Sequence, residues 1–159
     1  MSESRQDTVG ERSFAQHEHH ELLRGIDRIH DLGCAVGRVP AGEVAVALHR
    51  VVAWAEHELE DHAAWEEGWL YPELDRRAGS PWATKLMRFE HQQIREAVRR
   101  LAADRPLLDH ELAVNQCSEL RAHIFGLEAL IRAHMECEDR VLIPLLDAQA
   151  AAATGAAAD

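Results

Sequence analysis

Apolar residues recur at spacings of three and four along almost the whole chain, and no stretch alternates with the period of two that a half-buried strand requires. The pattern divides into four helical segments. Ser13-Phe14-Ala15-Gln16 has the form of a capping box, with Ser13 as N-cap. A first helix is therefore predicted from Ser13 to the Gly33–Gly37–Pro40 region, where glycines and then proline end it. A second begins near Gly42 and continues past Trp69. Ser80-Pro81 reads as an N-cap followed by proline at the first helical position, opening a third helix that ends before Pro106. Asp109 caps a fourth, which runs to about Asp147. Four long helices with short connections predict an all-α, up-down-up-down antiparallel four-helix bundle over residues 13–147. Residues 1–12 are expected to be a flexible N-terminus, and the alanine-rich residues 148–159 a disordered tail.

The two halves of the pattern repeat. The first helix reads Glu18-His19-x-x-Leu22-x-x-x-Ile26-x-x-Ile29, and the third reads Glu90-His91-x-x-Ile94-x-x-x-Val98-x-x-Leu101. The second reads His62-x-x-x-Glu66-x-x-x-Leu70-x-Pro72-x-Leu74, and the fourth reads His134-x-x-x-Glu138-x-x-x-Leu142-x-Pro144-x-Leu146. One offset of 72, with no gaps, relates His19 to His91, His62 to His134, Glu66 to Glu138 and Pro72 to Pro144. The bundle should have a pseudo-two-fold axis.

Residues four apart in a helix are separated by roughly 40° around its axis and share a face. His62 and Glu66 therefore point the same way, as do His134 and Glu138, and Leu70 and Leu142 mark that stripe as buried. Glu67 and Asp139, one position further on, are turned away from their histidines and should look elsewhere. Buried imidazoles and carboxylates must pair with each other, with water or with a metal, because a lone desolvated charge is costly. A hydrogen-bonded polar layer without metal is one solution. Convergence of four histidines and two carboxylates at one level favours the other, since imidazole with carboxylate suits iron, manganese or zinc, and paired carboxylates can bridge two ions.

These motifs resemble the hemerythrin-like, or HHE cation-binding, domains. Their pattern of a histidine, His-x-x-x-Glu with Leu-aromatic-Pro, a histidine, and His-x-x-x-Glu is matched by His19; by His62, Glu66 and Leu70-Tyr71-Pro72; by His91; and by His134, Glu138 and Leu142-Ile143-Pro144. The resemblance implies two iron ions in an oxo- or hydroxo-bridged di-iron centre, with metal ligands His19, His62, Glu66, His91, His134 and Glu138 and the glutamates as bridges. It implies a small diatomic or peroxide ligand. Where oxygen-carrying hemerythrins have a further histidine, four residues before the one on the third helix, this chain has Met87. Asp139 stands at their bridging aspartate. With four histidines the two irons should be nearly equivalent, as in a bacterial type with matching halves, which speaks against reversible oxygen carriage.

Composition narrows the remainder. At 159 residues the chain is one domain with a sizeable core. Its net charge of −11, with Lys85 as the only lysine, speaks against nucleic acid, which needs clustered cations. The uncharged runs are too short or too alanine-rich to span a bilayer, and the polar start carries no secretory signal, so a cytoplasmic protein is expected. Cys34, Cys117 and Cys137 show no metal-binding or disulfide spacing. His17 and His20 fall on other faces than His19. Glu58, four residues before His62, is a candidate spare ligand or supporting group. His30 and His123, each eleven residues from a ligand histidine, could meet inside the bundle, although ordinary boundary positions are the simpler reading. Trp65 and Cys137 should pack beside the site. Three functions fit this chemistry: a binding or sensing protein for oxygen or nitric oxide, an enzyme acting on peroxide or nitric oxide, and a metal-free structural bundle. No protein partner is indicated.

Overall fold

The computed structural model describes the backbone of residues 3–144 and the side chains of residues 19–144. The predicted tail at 148–159 lies outside the described residues. The chain forms α1 (Glu3–Ala35), α2 (residues 41–78), α3 (Lys85–Asp104) and α4 (residues 114–144), and no strand occurs among the described residues. α1 packs against α2 and α4, and α3 packs against the same two helices, so the four close a square in chain order. The architecture is the all-α four-helix bundle that the periodicity implies.

Three helix starts differ from their predicted places, each for a local reason. α1 begins at Glu3, ten residues before Ser13, because residues 3–12 hold no proline and a single glycine costs only about 1 kcal/mol. Ser80 does not open α3. Gly79 ends α2 in the left-handed conformation (φ 64°), and the Ser80 and Gly79 amides donate to the carbonyls of Asp75 and Arg76 at 3.1 and 3.3 Å. The Ser80 hydroxyl then accepts from Trp82 N–H at 3.2 Å, and buried Thr84 donates its amide and hydroxyl to Asp75 at 3.1 and 3.0 Å. The chain turns through these bonds, and α3 starts only at Lys85. Asp109 likewise ends a 3₁₀ turn, Arg105–Asp109, around Pro106. His110 is extended, and α4 begins at Val114, where the Gln116 side chain accepts the Ala113 amide at 2.9 Å.

α2 is not uniformly α-helical. It contains π-helical turns at Ala55–Leu59 and Glu66–Leu70, and α4 contains one at Glu138–Leu142. The last two are related by the 72-residue offset, and each is followed within two residues by a proline, Pro72 or Pro144. A proline ring inside a helix clashes with the carbonyl four residues back and removes one donor. Widening the preceding turn relieves that clash. Each widened turn begins at a glutamate of the polar layer.

That layer divides the core in two. On one side lies the main apolar cluster, which includes Ile26, Ile29, Leu48, Leu101, Ile124 and Ile131. On the other, Leu70, Tyr71, Leu74, Met87 and Leu142 form a small cap, with Trp65 and Cys137 packed against it as expected. Two glycines let α1 approach its neighbours. A Cβ at Gly25 would stand 1.9 Å from the Trp54 ring, and one at Gly33 would stand 2.6 Å from Phe125.

Candidate metal centre

One side chain from α1, two from α2, one from α3 and two from α4 meet in the layer between the apolar clusters. His19, His62, His91 and His134 are at most 6% exposed, and Glu66 and Glu138 are fully buried. His62 Nε2 lies 3.1 Å from Glu66 Oε1, and His91 Nε2 lies 3.2 Å from Glu66 Oε2. His19 and His134 approach Glu138 Oε2 at 3.4 and 3.5 Å. Donor atoms of His19, His62, Glu66 and Glu138 lie within 4.8 Å of one another, and so do those of Glu66, His91, His134 and Glu138. The two groups are related by the repeat, and both glutamates belong to both.

The outer nitrogens show what these inner atoms are for. His19 Nδ1 donates to Asp139 at 2.9 Å, His91 Nδ1 to Glu67 at 2.8 Å, and His134 Nδ1 to Glu90 at 3.0 Å. A carboxylate can only accept, so Nδ1 carries the proton and the neutral ring turns a lone pair at Nε2 toward Glu66 and Glu138. Acceptor then faces acceptor inside the protein. His19 Nε2, His134 Nε2, Glu66 Oε1 and Glu138 Oε2 have no hydrogen-bond partner. A water that donates to both, or a cation between them, a proton or a metal ion, resolves this. The donor set fits a metal, and an outer carboxylate on a ligating imidazole is the usual way to orient such a ring.

Without metal, protons shared among these groups serve the same end. Burial alone would lower the His19 pKa, but the Glu138 and Glu66 carboxylates outweigh it and raise the value to about 10. His91 is raised in the same way, by Glu66 and Glu67 against burial. Burial would raise Glu66, but His19, His62 and His91 hold it well below the ordinary carboxylate range.

Glu67 and Asp139 do look elsewhere than their own histidines. They cross to the repeat-related partners: Glu67 on α2 holds His91 on α3, and Asp139 on α4 holds His19 on α1. Sequence reading missed this role, and it missed Glu90, although all obey the 72-residue offset (Glu67 with Asp139, Glu18 with Glu90). It also missed Tyr71. This fully buried phenol donates to Glu138, lies 3.3 Å from Glu66 Oε2, and lies 3.3 Å from His91 Nε2. Burial and the two carboxylates raise its pKa strongly, so it keeps its proton.

Other sequence candidates fall outside the layer. Glu58 is exposed, because the π-helical turn Ala55–Leu59 shifts the helical register that would align it with His62. His20 and His57 are exposed too. His30 and His123 do not meet: His30 bonds Glu128 at 3.1 Å, and His123 bonds Asp104 on α3 at 2.7 Å. Arg95 spans Glu60 and Glu67, each at 2.8 Å, and so braces the carboxylate that holds His91. Burial, Glu90 and Glu138 push the Cys137 thiol up, which leaves it a packing residue and not a reactive thiolate. No helix among the described residues is long and apolar enough to cross a membrane.

No curated protein and no solved structure matches the chain. A family model does, over residues 13–153: the hemerythrin HHE cation-binding domain. With that match over most of its length, and with two His/Glu groups suited to a metal cation, the chain belongs to the hemerythrin HHE cation-binding family.

Proposed function

We propose that the six side chains hold two iron ions and that the resulting centre binds a small ligand, oxygen, nitric oxide or peroxide, in redox, oxygen or iron sensing or in a stress response. The observation that carries this reading is the pair of donor groups with Glu66 and Glu138 in common, in which His19 Nε2, His134 Nε2 and Glu138 Oε2 are buried without a hydrogen-bond partner. Each group offers two imidazoles and two carboxylates, which leaves a metal room for a further small ligand. Iron would supply one-electron redox chemistry at that position. Asp139, Glu67 and Glu90 orient three of the imidazoles and add negative charge that favours a bound cation. Apolar clusters flank the layer along the bundle on both sides. A cytoplasmic location belongs to the same reading.

A second reading, an enzyme that decomposes peroxide or reduces nitric oxide, is favoured by Tyr71. Its hydroxyl holds a proton beside Glu66, Glu138 and His91, where a reacting ligand would need one. Ile143 stands at its repeat-related place and offers none.

The test is a spectrum of the iron-loaded protein under oxygen, nitric oxide and hydrogen peroxide in turn. At least one should change it, and His62→Ala with His134→Ala should abolish the change. A spectrum inert to all three, or full iron content in that double variant, would defeat the proposal. Sustained oxygen evolution from peroxide, slowed about tenfold or more by Tyr71→Phe, supports the enzyme. A single bleaching event supports a binding role.

A further inference from the structure

The repeat equalises the donors but not their surroundings. Between α2 and α3, with α4 as its floor, lies a cavity of about 280 Å³ that ends on His62, His91 and His134. Its apolar walls come from Ala55, Leu59, Ala63, Ile94, Val98, Ile131 and Met135. The 72-residue offset shows why room exists here. The counterparts of Ala55 and Ala63 on α4 are Leu127 and Met135, and the counterpart of Val98 on α1 is Ile26. Three wall positions thus carry smaller side chains than their repeat-related counterparts, one of which, Met135, borders both this cavity and the α1–α4 groove. Backbone geometry differs in the same place. The wall residues Ala55 and Leu59 bound a π-helical turn, whereas Leu127 and Ile131 lie in regular α-helix. Between α1 and α4 the groove that reaches His19 is open and charged, bordered by Arg132, Glu136, Asp139 and Arg140.

The charges at the cavity mouth indicate what it would take. Arg95 is bound by Glu60 and Glu67, and Arg99 by Glu96 at 2.8 Å. Both cations are paired and Glu56 adds a further carboxylate at the mouth, so nothing there recruits an anion. The walls offer area for an uncharged apolar ligand instead, at about 25 cal/mol for each Å² of apolar surface buried. A cavity of roughly 150 Å³ suffices for benzene, and a diatomic molecule needs far less.

We infer that this cavity is a binding site for a compact, uncharged, apolar organic molecule of about the size of toluene, held against the His62, His91 and His134 face of the centre. The site is built from wall residues that are not metal donors, so the inference stands apart from the identity of the metal.

Calorimetric titration of the full chain with toluene, in both the iron-loaded and the chelator-treated protein, tests it. Toluene should bind with one-to-one stoichiometry in at least one of the two forms. The double variant Ala55→Leu/Ala63→Met gives α2 the residues that α4 already carries and should weaken toluene binding about tenfold or more, a cost of about 1.4 kcal/mol. Its iron content and melting temperature, measured alongside, should match the parent, which separates a filled cavity from a damaged centre. If the double variant does not fold, Val98→Ile decides instead, with weakening of about threefold or more expected. Absence of toluene binding in both forms overturns the inference, as does equal binding in a folded variant. Binding of xenon without toluene would mark a channel for gases and overturn it too.

Discussion

Glu66 and Glu138 each belong to both donor groups, whereas each histidine belongs to one. If two ions occupy the centre, this difference has a countable consequence. His62→Ala removes one of four donors from a single group, so iron content should fall from about two per chain to about one. Glu66→Gln leaves an amide that can offer one oxygen but cannot bridge, so content should fall below one. Stability should follow the count. An ion present at about 100 times its dissociation constant adds about 2.7 kcal/mol, so two add about 5 kcal/mol. For a domain of this size that raises the melting temperature by about 10–20 °C, at about 2–4 °C per kcal/mol. The parent should lose that whole increment on chelation, His62→Ala about half of it, and Glu66→Gln almost none. The assay is elemental analysis paired with thermal melts, with and without a ferrous chelator. Two ions retained in Glu66→Gln, or equal losses in the two variants, would refute the shared-carboxylate geometry.

Removing an outer carboxylate should weaken metal binding without abolishing it. Glu67→Ala or Asp139→Ala frees one imidazole to rotate and should cost about 10–100-fold in affinity by competition titration, with the histidine ligands intact. The metal-free protein should also have a defined pH window. The raised His19 contributes stability fully below about pH 6.5, which is lost as pH rises through about 10; lowered Glu66 contributes above about pH 4.5, which is lost on acidification through its folded value. Melts of the chelated protein should therefore fall between pH 6.5 and 10 while those of the loaded protein change little, and a flat apo profile would count against the proton-filled layer. Finally, Gly25→Ala drives a Cβ into the Trp54 ring, an overpacking cost of about 1–3 kcal/mol against a helix-propensity gain of about 1. Its melting temperature should drop by several degrees, whereas Gly42→Ala, with nothing within 4 Å, should not.

The bundle and its six-residue layer were legible because one spacing rule governs them. A buried stripe of period 3.6 fixes which side chains share a face, and the repeat showed that two stripes carry the same chemistry. What the stripe hid is what breaks the period. The π-helical turns at Glu66–Leu70 and Glu138–Leu142 depend on Pro72 and Pro144 acting backwards along the helix, an effect no helical wheel contains. The turn at Ala55–Leu59 has no proline to announce it, and it was this turn that misplaced Glu58. Helix starts were misjudged for a related reason. Ser80 and Asp109 have the right cap chemistry, but the nearby turns claim those residues first. The outer carboxylates were within reach of the sequence, since Glu67 and Asp139 obey the same offset as the ligands, but a single-helix argument sends them away without saying to whom. Crossing to the neighbouring helix is a tertiary fact.

Duplication explains the donors, and divergence explains the chemistry. Two equal halves supply two imidazole pairs and two common carboxylates, a set that by itself would treat any two bound ions alike. Against that background the unequal positions stand out because the repeat provides an internal control for each. Tyr71 faces Ile143, so a proton donor serves the Glu66, His91, His134 and Glu138 group and has no twin. Ala55, Ala63 and Val98 correspond to Leu127, Met135 and Ile26, and an apolar cavity reaches His62, His91 and His134, whereas His19 borders a more open, charged groove. The phenol and the cavity thus both adjoin His91, although the cavity also touches His62 of the other group. A symmetric store for metal would gain nothing from either change. A centre that admits an apolar ligand and holds a proton beside it would use both.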